Sequence, residues 1–233
     1  MGKHIRKWSF YPITILLFLL LIGFGSKSVT VISETMPIVS RRCFIIDPGH
    51  GGVDGGAISC TGRAESQYNL EISLRLRDLM QFLGCKIRMI RTTDISVYTQ
   101  GDTIAQKKIS DLKERVRICS DAEDAVLLSI HQNTFSDSRY HGPQVFFAKT
   151  EGSEELAKIL QANLVSSLDP DSNRQHKQAS GIYLMEHISC PGVLIECGFL
   201  SNPKEEASLR LPQYQKELCC VVAATIVSHF GEK

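Results

Sequence analysis

Residues 125–131 read AVLLSIH, an apolar run that ends in a histidine. Residues 192–197 read GVLIEC, a second apolar run, which contains a glutamate near its end. Neither run alternates between apolar and polar side chains, which is typical of strands covered on both faces in a parallel sheet. Other short β-rich runs lie at 43–47, 86–91, 144–149 and 181–185. The sequence therefore predicts six strands.

Helical patterns separate these strands. Apolar side chains recur every three or four residues over 66–83 and again over 153–168. The second segment begins with Ser153, which we interpret as the N-cap, and continues with two acidic residues that suit the helix dipole.

The C-terminal region contains residues typical of helix starts and ends. Asn202 predicts the cap of a short helix that starts at Pro203, Pro212 starts a longer helix, and Gly231 ends it. Strands that alternate with helices predict a single α/β domain with a six-stranded, mostly parallel sheet flanked by helices. Its ligand site is expected at the carboxyl ends of the strands.

The N-terminal 25 residues have the composition of a targeting segment. They hold Lys3, Arg6 and Lys7, no acidic residue, and a long apolar run. This predicts a signal peptide or an uncleaved signal-anchor at 1–25, a stalk or linker at 26–41 and one folded domain at 42–233. The domain is then exported, either secreted or anchored by the N-terminal segment at the outer face of the membrane.

The rest of the chain is not basic. Beyond the first 25 residues the 233-residue chain has 23 basic and 25 acidic residues, and no basic stripe is interleaved with aromatic residues, so the sequence argues against a nucleic-acid partner. A composition of 43% hydrophobic and 22% charged residues also excludes disorder and fibrous repeats. Its eight cysteines lack a Cys-x-x-Cys pair, and most lie in strand-like or helix-like runs, so we predict mostly reduced, buried thiols.

Polar side chains follow three of the predicted strands. His50 stands in a glycine-rich loop after the first strand, His131 ends the third, and Glu196 interrupts the apolar run of the last. Glu65 precedes the first helix, so a loop could return it beside His50. A carboxylate embedded among apolar residues needs a partner, which makes Glu196 the strongest single signal.

Two imidazoles and one carboxylate are a ligand set of catalytic zinc, which leaves a fourth position for water. A second carboxylate near that water could transfer its proton to a leaving nitrogen. Glu65 and Glu196 are the candidates for ligand and base, and their spacing does not decide between the two roles.

Other known motifs do not fit. The loop at 49–54 has Asp54 where a dinucleotide-binding motif needs glycine. The sequence has no Gly-x-Ser-x-Gly, Walker or His-Glu-x-x-His motif. A triad of Asp47, His50 and Ser129 has no support from the pattern.

An ordered set of motifs resembles the zinc-dependent N-acetylmuramoyl-L-alanine amidase family (the type-3 amidase domain). The matching stretches are IIDPGHGGVDGGA at 45–57, RAESQYNLEISLRLRDLM at 63–80, RTTD at 91–94, ERVRICS at 114–120, LLSIHQN at 127–133, GPQVFF at 142–147 and GVLIECGFLSNPKEEASL at 192–209. Together they span about residues 43–231.

The resemblance implies roles for the four candidate residues. By the family pattern His50, Glu65 and His131 bind Zn²⁺, and Glu196 is the catalytic acid/base. The implied reaction is hydrolysis of the amide between the lactyl group of N-acetylmuramic acid and L-alanine in peptidoglycan. The implied fold is the six-stranded, mostly parallel sheet.

The motifs SIHQN, SRYHG, YLMEHIS and ECGFLSNP most resemble the sporulation branch, the germination-specific amidases. That branch implies removal of stem peptides from spore-cortex glycan, so that muramic-δ-lactam can form, and a location at the forespore. The segment 134–141 is too short for the inhibitory helix of some relatives. An accessory activating protein is compatible with the pattern.

Two alternatives stay open at this stage. One is an exported zinc peptidase that cuts within the stem peptide. The other is a catalytically silent wall-binding protein, against which the intact set of four site residues argues.

Overall fold

A computed structural model describes residues 42–231. The six strands are β1 (Cys43–Pro48), β2 (Lys86–Met89), β3 (Ala125–Asn133), β4 (Gln144–Phe147), β5 (Lys177–Gln178) and β6 (Gly192–Phe199). The helices, numbered over this region, are α1 (Glu65–Phe82), α2 (Ile104–Ser120), α3 (Ser153–Leu168), α4 (Tyr183–His187), α5 (Pro203–Leu209) and α6 (Pro212–Phe230).

The strands form one sheet in the order β2-β1-β3-β6-β4-β5. The pairs among β2, β1, β3 and β6 are parallel, whereas β4 runs antiparallel to β6 and parallel to β5. This confirms the predicted α/β class and the mostly parallel six-stranded sheet. The central strands β1, β3 and β6 therefore end at the same edge, where the ligand site was expected.

Both faces of the sheet are covered. In β3, Val126, Leu128 and Ile130 pack into the cluster that includes buried residues of α1, α3 and α6. Ala125 and Leu127 point to the other side, where a second cluster includes residues of α2 and α4. Because neighbouring residues of the same strand are buried on opposite faces, β3 shows no apolar alternation.

The strand predicted at 181–185 is wrong. Leu184, Met185 and Ile188 are buried in one cluster, a helical spacing, and the segment forms α4. The fifth strand is instead Lys177–Gln178, two exposed residues paired only with β4. Such a short, polar edge strand gives no hydrophobic signal in the sequence.

Of the two N-caps predicted from the sequence, the structure confirms the one at Asn202 but not the one at Ser153. Asn202 caps α5 through its side chain, as predicted. The predicted Ser153 cap is wrong, because Gly152 holds the cap position of α3 with φ of 80°. The Ser153 hydroxyl is buried and accepts a hydrogen bond from the backbone N–H of Gly192 at 2.9 Å.

Several predictions concern residues beyond this region. The signal or anchor at 1–25 and the stalk at 26–41 lie outside the described residues. No helix within residues 42–231 combines the length and apolarity required to cross a membrane. The eight cysteines are free thiols, and two of them, Cys60 and Cys220, are exposed rather than buried.

Candidate metal centre and active site

His50, Glu65 and His131 converge at the carboxyl edge of the sheet. They come from the loop after β1, the first residue of α1 and the end of β3. One possible ligand atom from each lies within 4.8 Å of the other two. The structure thus brings together the three residues that the sequence nominated for the metal.

Glu65 lies between the two imidazoles and is 4% exposed. Its Oε1 accepts from His131 Nδ1 at 3.0 Å, and its Oε2 lies 3.3 Å from His50 Nε2. Burial by itself raises the pKa of Glu65, but the two histidines outweigh it and hold the pKa well below its usual range. Glu65 is therefore an ionised carboxylate, as metal binding requires.

Several neutral donors fix the Glu65 carboxylate. Asn69, one helical turn along α1, donates to Oε1 at 3.1 Å, and the backbone N–H of Gln132 does so at 3.2 Å. The backbone N–H of Ala57 donates to Oε2 at 3.0 Å. The Gln132 side chain is not directed at the metal site but donates to Asn69 Oδ1 at 3.2 Å. Gln132 is therefore a support for Glu65 rather than a ligand.

His50 is held in a backbone conformation that non-glycine residues rarely adopt, with φ of 58°. Its ring Nδ1 donates to Asp54 at 2.9 Å, and its carbonyl oxygen accepts from Arg115 at 2.7 Å. Arg91 donates to the preceding Gly49 carbonyl at 2.9 Å. Because such a conformation persists only where its surroundings determine it, these contacts define the direction of the imidazole.

The charges around His50 favour its protonated form in the absence of a metal. Burial lowers the pKa of the imidazole, but hydrogen bonds with Asp54 and Glu65 outweigh burial and raise the pKa to about 9. The hydrogen bond with His50 in turn lowers the pKa of Asp54 well below its usual range, against the opposing effect of burial. The site is thus built to stabilise positive charge.

Two glycines let the ligands approach the loop. A β-carbon on Gly49 would lie 2.2 Å from His131 Nε2. A β-carbon on Gly56 would lie 2.6 Å from Glu65 Oε2 and 2.7 Å from the His50 ring. The glycine-rich loop after β1 therefore serves close packing of the ligands, not phosphate binding.

Glu196 lies on β6 directly opposite His131 of β3. The register of β3 shifts just after His131, and such irregularities commonly redirect a strand end at an active site. Glu196 Oε2 is buried and has no hydrogen-bond partner among residues 42–231. Burial raises the pKa of Glu196 to about 7. This carboxylate can exchange protons near neutral pH.

Asp47 and Ser129, which could have suggested a triad, form a structural network. Ser129 donates to Asp47 at 2.7 Å, and the other Asp47 oxygen forms a buried ion pair with Arg115. His50 is directed at Asp54 instead. The geometry does not assemble a serine nucleophile.

The sequence interpretation missed three supporting residues, Asp54, Asn69 and Arg115. Asp54 follows His50 by four residues and Asn69 follows Glu65 by four, so both spacings were visible beside the candidate ligands. Arg115 stands in the quoted ERVRICS stretch on a mostly polar helix, and only the fold shows that its guanidinium reaches the β1 loop.

Comparisons with known proteins place the whole described domain in one family. A family model described as N-acetylmuramoyl-L-alanine amidase matches residues 44–228. The germination-specific N-acetylmuramoyl-L-alanine amidase of Bacillus subtilis (strain 168) is 36% identical over 198 residues, which cover 84% of this chain and 82% of that relative.

Two solved structures are also similar. The CwlD amidase from Clostridioides difficile, in complex with the GerS lipoprotein, has a TM-score of 0.77 at 37% identity, covering 80% of this chain and 97% of that one. An N-acetylmuramoyl-L-alanine amidase from Clostridium difficile 630 has a TM-score of 0.69 at 28% identity, and the match covers 81% of this chain and 96% of that one.

Proposed function

Because the chain belongs to the N-acetylmuramoyl-L-alanine amidase family, whose members are peptidoglycan hydrolases, we propose that it is a zinc enzyme. Its reaction is hydrolysis of the amide between the lactyl group of N-acetylmuramic acid and L-alanine. The family membership agrees with the resemblance found in the sequence motifs. The observation that carries the proposal is the convergence of His50, Glu65 and His131 beside the buried carboxylate of Glu196.

The donor set fits Zn²⁺. Two imidazoles and one carboxylate are a common ligand set of catalytic zinc and leave a position for water. Asp54 accepts from Nδ1 of His50, which fixes the tautomer of the neutral ring with its lone pair on Nε2, the atom that faces Glu65. When bound, the ion would polarise the scissile carbonyl and lower the pKa of a bound water.

Glu196 supplies the proton transfers. As a carboxylate it accepts a proton from the attacking water, whose oxygen then bonds to the lactyl carbonyl carbon. The C–N bond breaks, and Glu196 returns the proton to the departing nitrogen of L-alanine. The products are a lactyl carboxylate and a stem peptide with a free amine. A pKa near 7 suits both transfers at neutral pH.

The similarity to a germination-specific amidase supports a proposal for the biological setting. We infer that the enzyme removes stem peptides from spore-cortex glycan, so that muramic-δ-lactam can form. Residues 1–25 direct export as a signal peptide or anchor, residues 26–41 act as a stalk, and residues 42–233 form the catalytic domain at the outer face of the membrane around the forespore. The solved complex of CwlD with a lipoprotein supports an accessory protein partner for this chain as well.

The test is mass spectrometry of peptides released from purified peptidoglycan by the full chain, with added zinc or with a chelator. We expect intact stem peptides that begin with L-alanine, and only when metal is present. Peptides that lack L-alanine would identify a peptidase instead. No release by the zinc-loaded chain together with its accessory protein would support a silent wall-binding protein.

Variants separate the roles of the site residues. Glu196→Ala should bind zinc and remain folded but release no peptide. His50→Ala or His131→Ala should lose both zinc and activity, because two ligands hold a catalytic zinc poorly. Glu155→Gln, at an exposed position of α3, is the matched control and should keep both. Loss of metal in Glu196→Ala would make Glu196 a ligand and overturn the assignment of Glu65.

A further inference from the structure

Arg174 lies beside the active site in the segment between α3 and β5. Its Nη2 donates to Oε1 of Gln144, and its guanidinium lies 4.8 Å from the centre of the Phe199 ring. Gln144 is the direct neighbour of Glu196 across the β4–β6 pair, and Phe199 ends β6. The Arg174 side chain is therefore fixed by residues that flank the candidate base.

The positive charge of Arg174 has no close counter-ion. No carboxylate of residues 42–231 forms an ion pair with it, and its buried Nε has no hydrogen-bond partner in the same region. Burial lowers the pKa of Arg174, while Glu205 and Glu196 act on it only at longer range. A guanidinium that is partly desolvated and lacks some of its hydrogen-bond partners has an unfavourable free energy unless an anion binds to it.

The neighbouring basic side chains have partners. Arg139 forms an ion pair with Asp137 at 2.7 Å, and Nδ1 of His141 is hydrogen-bonded to Asp169 at 2.6 Å. With Arg174, and with the carboxylates of Asp137 and Asp171, they line a cavity of about 550 Å³. Tyr140 lines this cavity too and contacts Phe199 at 6.3 Å between ring centres. Arg174 thus presents an unpaired charge to a cavity large enough for part of a substrate.

We propose that Arg174 is a binding residue for a stem-peptide carboxylate, namely the free α-carboxylate of the D-glutamate that follows L-alanine. This inference rests on the proposed function. The sugar and the scissile amide are uncharged, whereas unamidated D-glutamate, linked through its side-chain carboxyl, offers an anion one residue from the cleaved bond. The planar set of N–H donors on a guanidinium matches the two oxygens of a carboxylate.

Two substrates that differ in one group test the proposal. One is uncrosslinked glycan whose stems contain L-alanine and D-glutamate, and the other has the α-amide, D-isoglutamine, in its place. We expect the zinc-loaded full chain to have a kcat/KM about tenfold or more higher on the carboxylate substrate, because hydrogen bonds between charged groups discriminate by about that factor. Arg174→Gln should reduce the ratio to near one, and Arg174→Lys should keep part of it.

The control is Arg117→Gln. It also removes one positive charge, but Arg117 lies on α2 outside this cavity, is 57% exposed and is paired with Glu114 and Asp121, so the ratio should stay at its wild-type value. Zinc content and thermal unfolding of every variant are measured alongside, so that loss of metal or fold is recognised. An equal loss on both substrates in Arg174→Gln would overturn the proposal, because it would mean that Arg174 only orients Glu196.

A binding measurement separates this proposal from the hydrolytic function. By calorimetry the full chain should bind L-alanyl-D-glutamate about tenfold more tightly than its α-amide, and Arg174→Gln should abolish the difference. Selective binding without any peptide release from glycan would retain the carboxylate site and reject the amidase assignment. Hydrolysis without selectivity in either assay would retain the amidase assignment and reject the carboxylate site.

Discussion

Gly49 lies against the ring of His131, where a β-carbon would meet Nε2 at 2.2 Å. The Gly49 backbone is also bound by Arg91 and Asn69, so it cannot easily move away. We expect Gly49→Ala to displace the imidazole and lower zinc affinity at least as much as loss of an outer-shell contact, about 10- to 100-fold. Competition with a zinc-sensitive dye measures the affinity.

Gly55 provides the matched control for this substitution in the same loop. A β-carbon there would lie 3.5 Å from the Ala64 side chain, an ordinary van der Waals contact, so Gly55→Ala should bind zinc normally. Equal affinities for the two variants would show that the close approach to His131 is not what requires a glycine.

The pKa of Glu196 predicts an acid limb in the rate profile. Burial raises this pKa from 4.5 to about 7, and the positive charge of a bound metal would lower it again. Because the base must be ionised, we expect kcat/KM to fall about tenfold per pH unit below a midpoint between these two values. Initial rates from pH 4 to 8, with zinc occupancy checked at each pH, test this. A flat profile down to pH 4.5 would contradict a buried base.

At the scale of elements, helix α2 holds the loop that presents His50. Its Arg115 is 3% exposed and bonds Asp47, Asp111 and the carbonyl oxygen of His50. Arg115→Met would leave the buried Asp47 carboxylate without its cation, a loss of about 3–5 kcal/mol in the free energy of unfolding. Urea unfolding measures the change.

Arg117 on the same helix is the control for that prediction. Its side chain is 57% exposed and pairs with Glu114 and Asp121 at the surface. Arg117→Met should leave the urea midpoint unchanged, because exposed pairs contribute little. If both variants unfolded at the wild-type midpoint, the Arg115 network would not stabilise the β1 loop.

The same helix shows why some elements could not be read from the sequence. Strands β1, β3 and β6 are continuous apolar runs, and helices α1 and α6 bury apolar side chains at helical spacing, so the sequence predicted all five elements. The buried positions of α2 are Ser110, Arg115 and Cys119, which give almost no hydrophobic period. Strand β5 is two polar residues whose pairing depends on β4, a contact distant in sequence.

For the whole molecule, the sequence predicted the position of the site. It did not predict which distant side chains hold the site residues in place. Parallel strands place His50, His131 and Glu196 at one edge, and that follows from topology alone. The guanidiniums of Arg115 and Arg174 come from segments whose position depends on the packing of α2 and on the path between α3 and β5. Local patterns contain no information on such distant contacts.

The architecture also predicts how the fold responds to metal removal. The two hydrophobic clusters fill both faces of the sheet, while His50, Glu65 and His131 lie at its edge. The metal-free chain should therefore stay folded, with zinc adding stability only by mass action. At a free zinc concentration of 100 Kd this is about 2.7 kcal/mol, or a rise in Tm of about 5–10 °C for a domain of this size.

Thermal unfolding of the full chain with zinc or a chelator measures this shift, and His131→Ala should show almost none of it because its site lacks a ligand. Loss of the near-ultraviolet circular dichroism signal on chelation alone would mean that the ion holds the domain together, as in structural zinc sites. A shift confined to chains with all three ligands would instead mark an ion bound at the edge of a fold that forms without it.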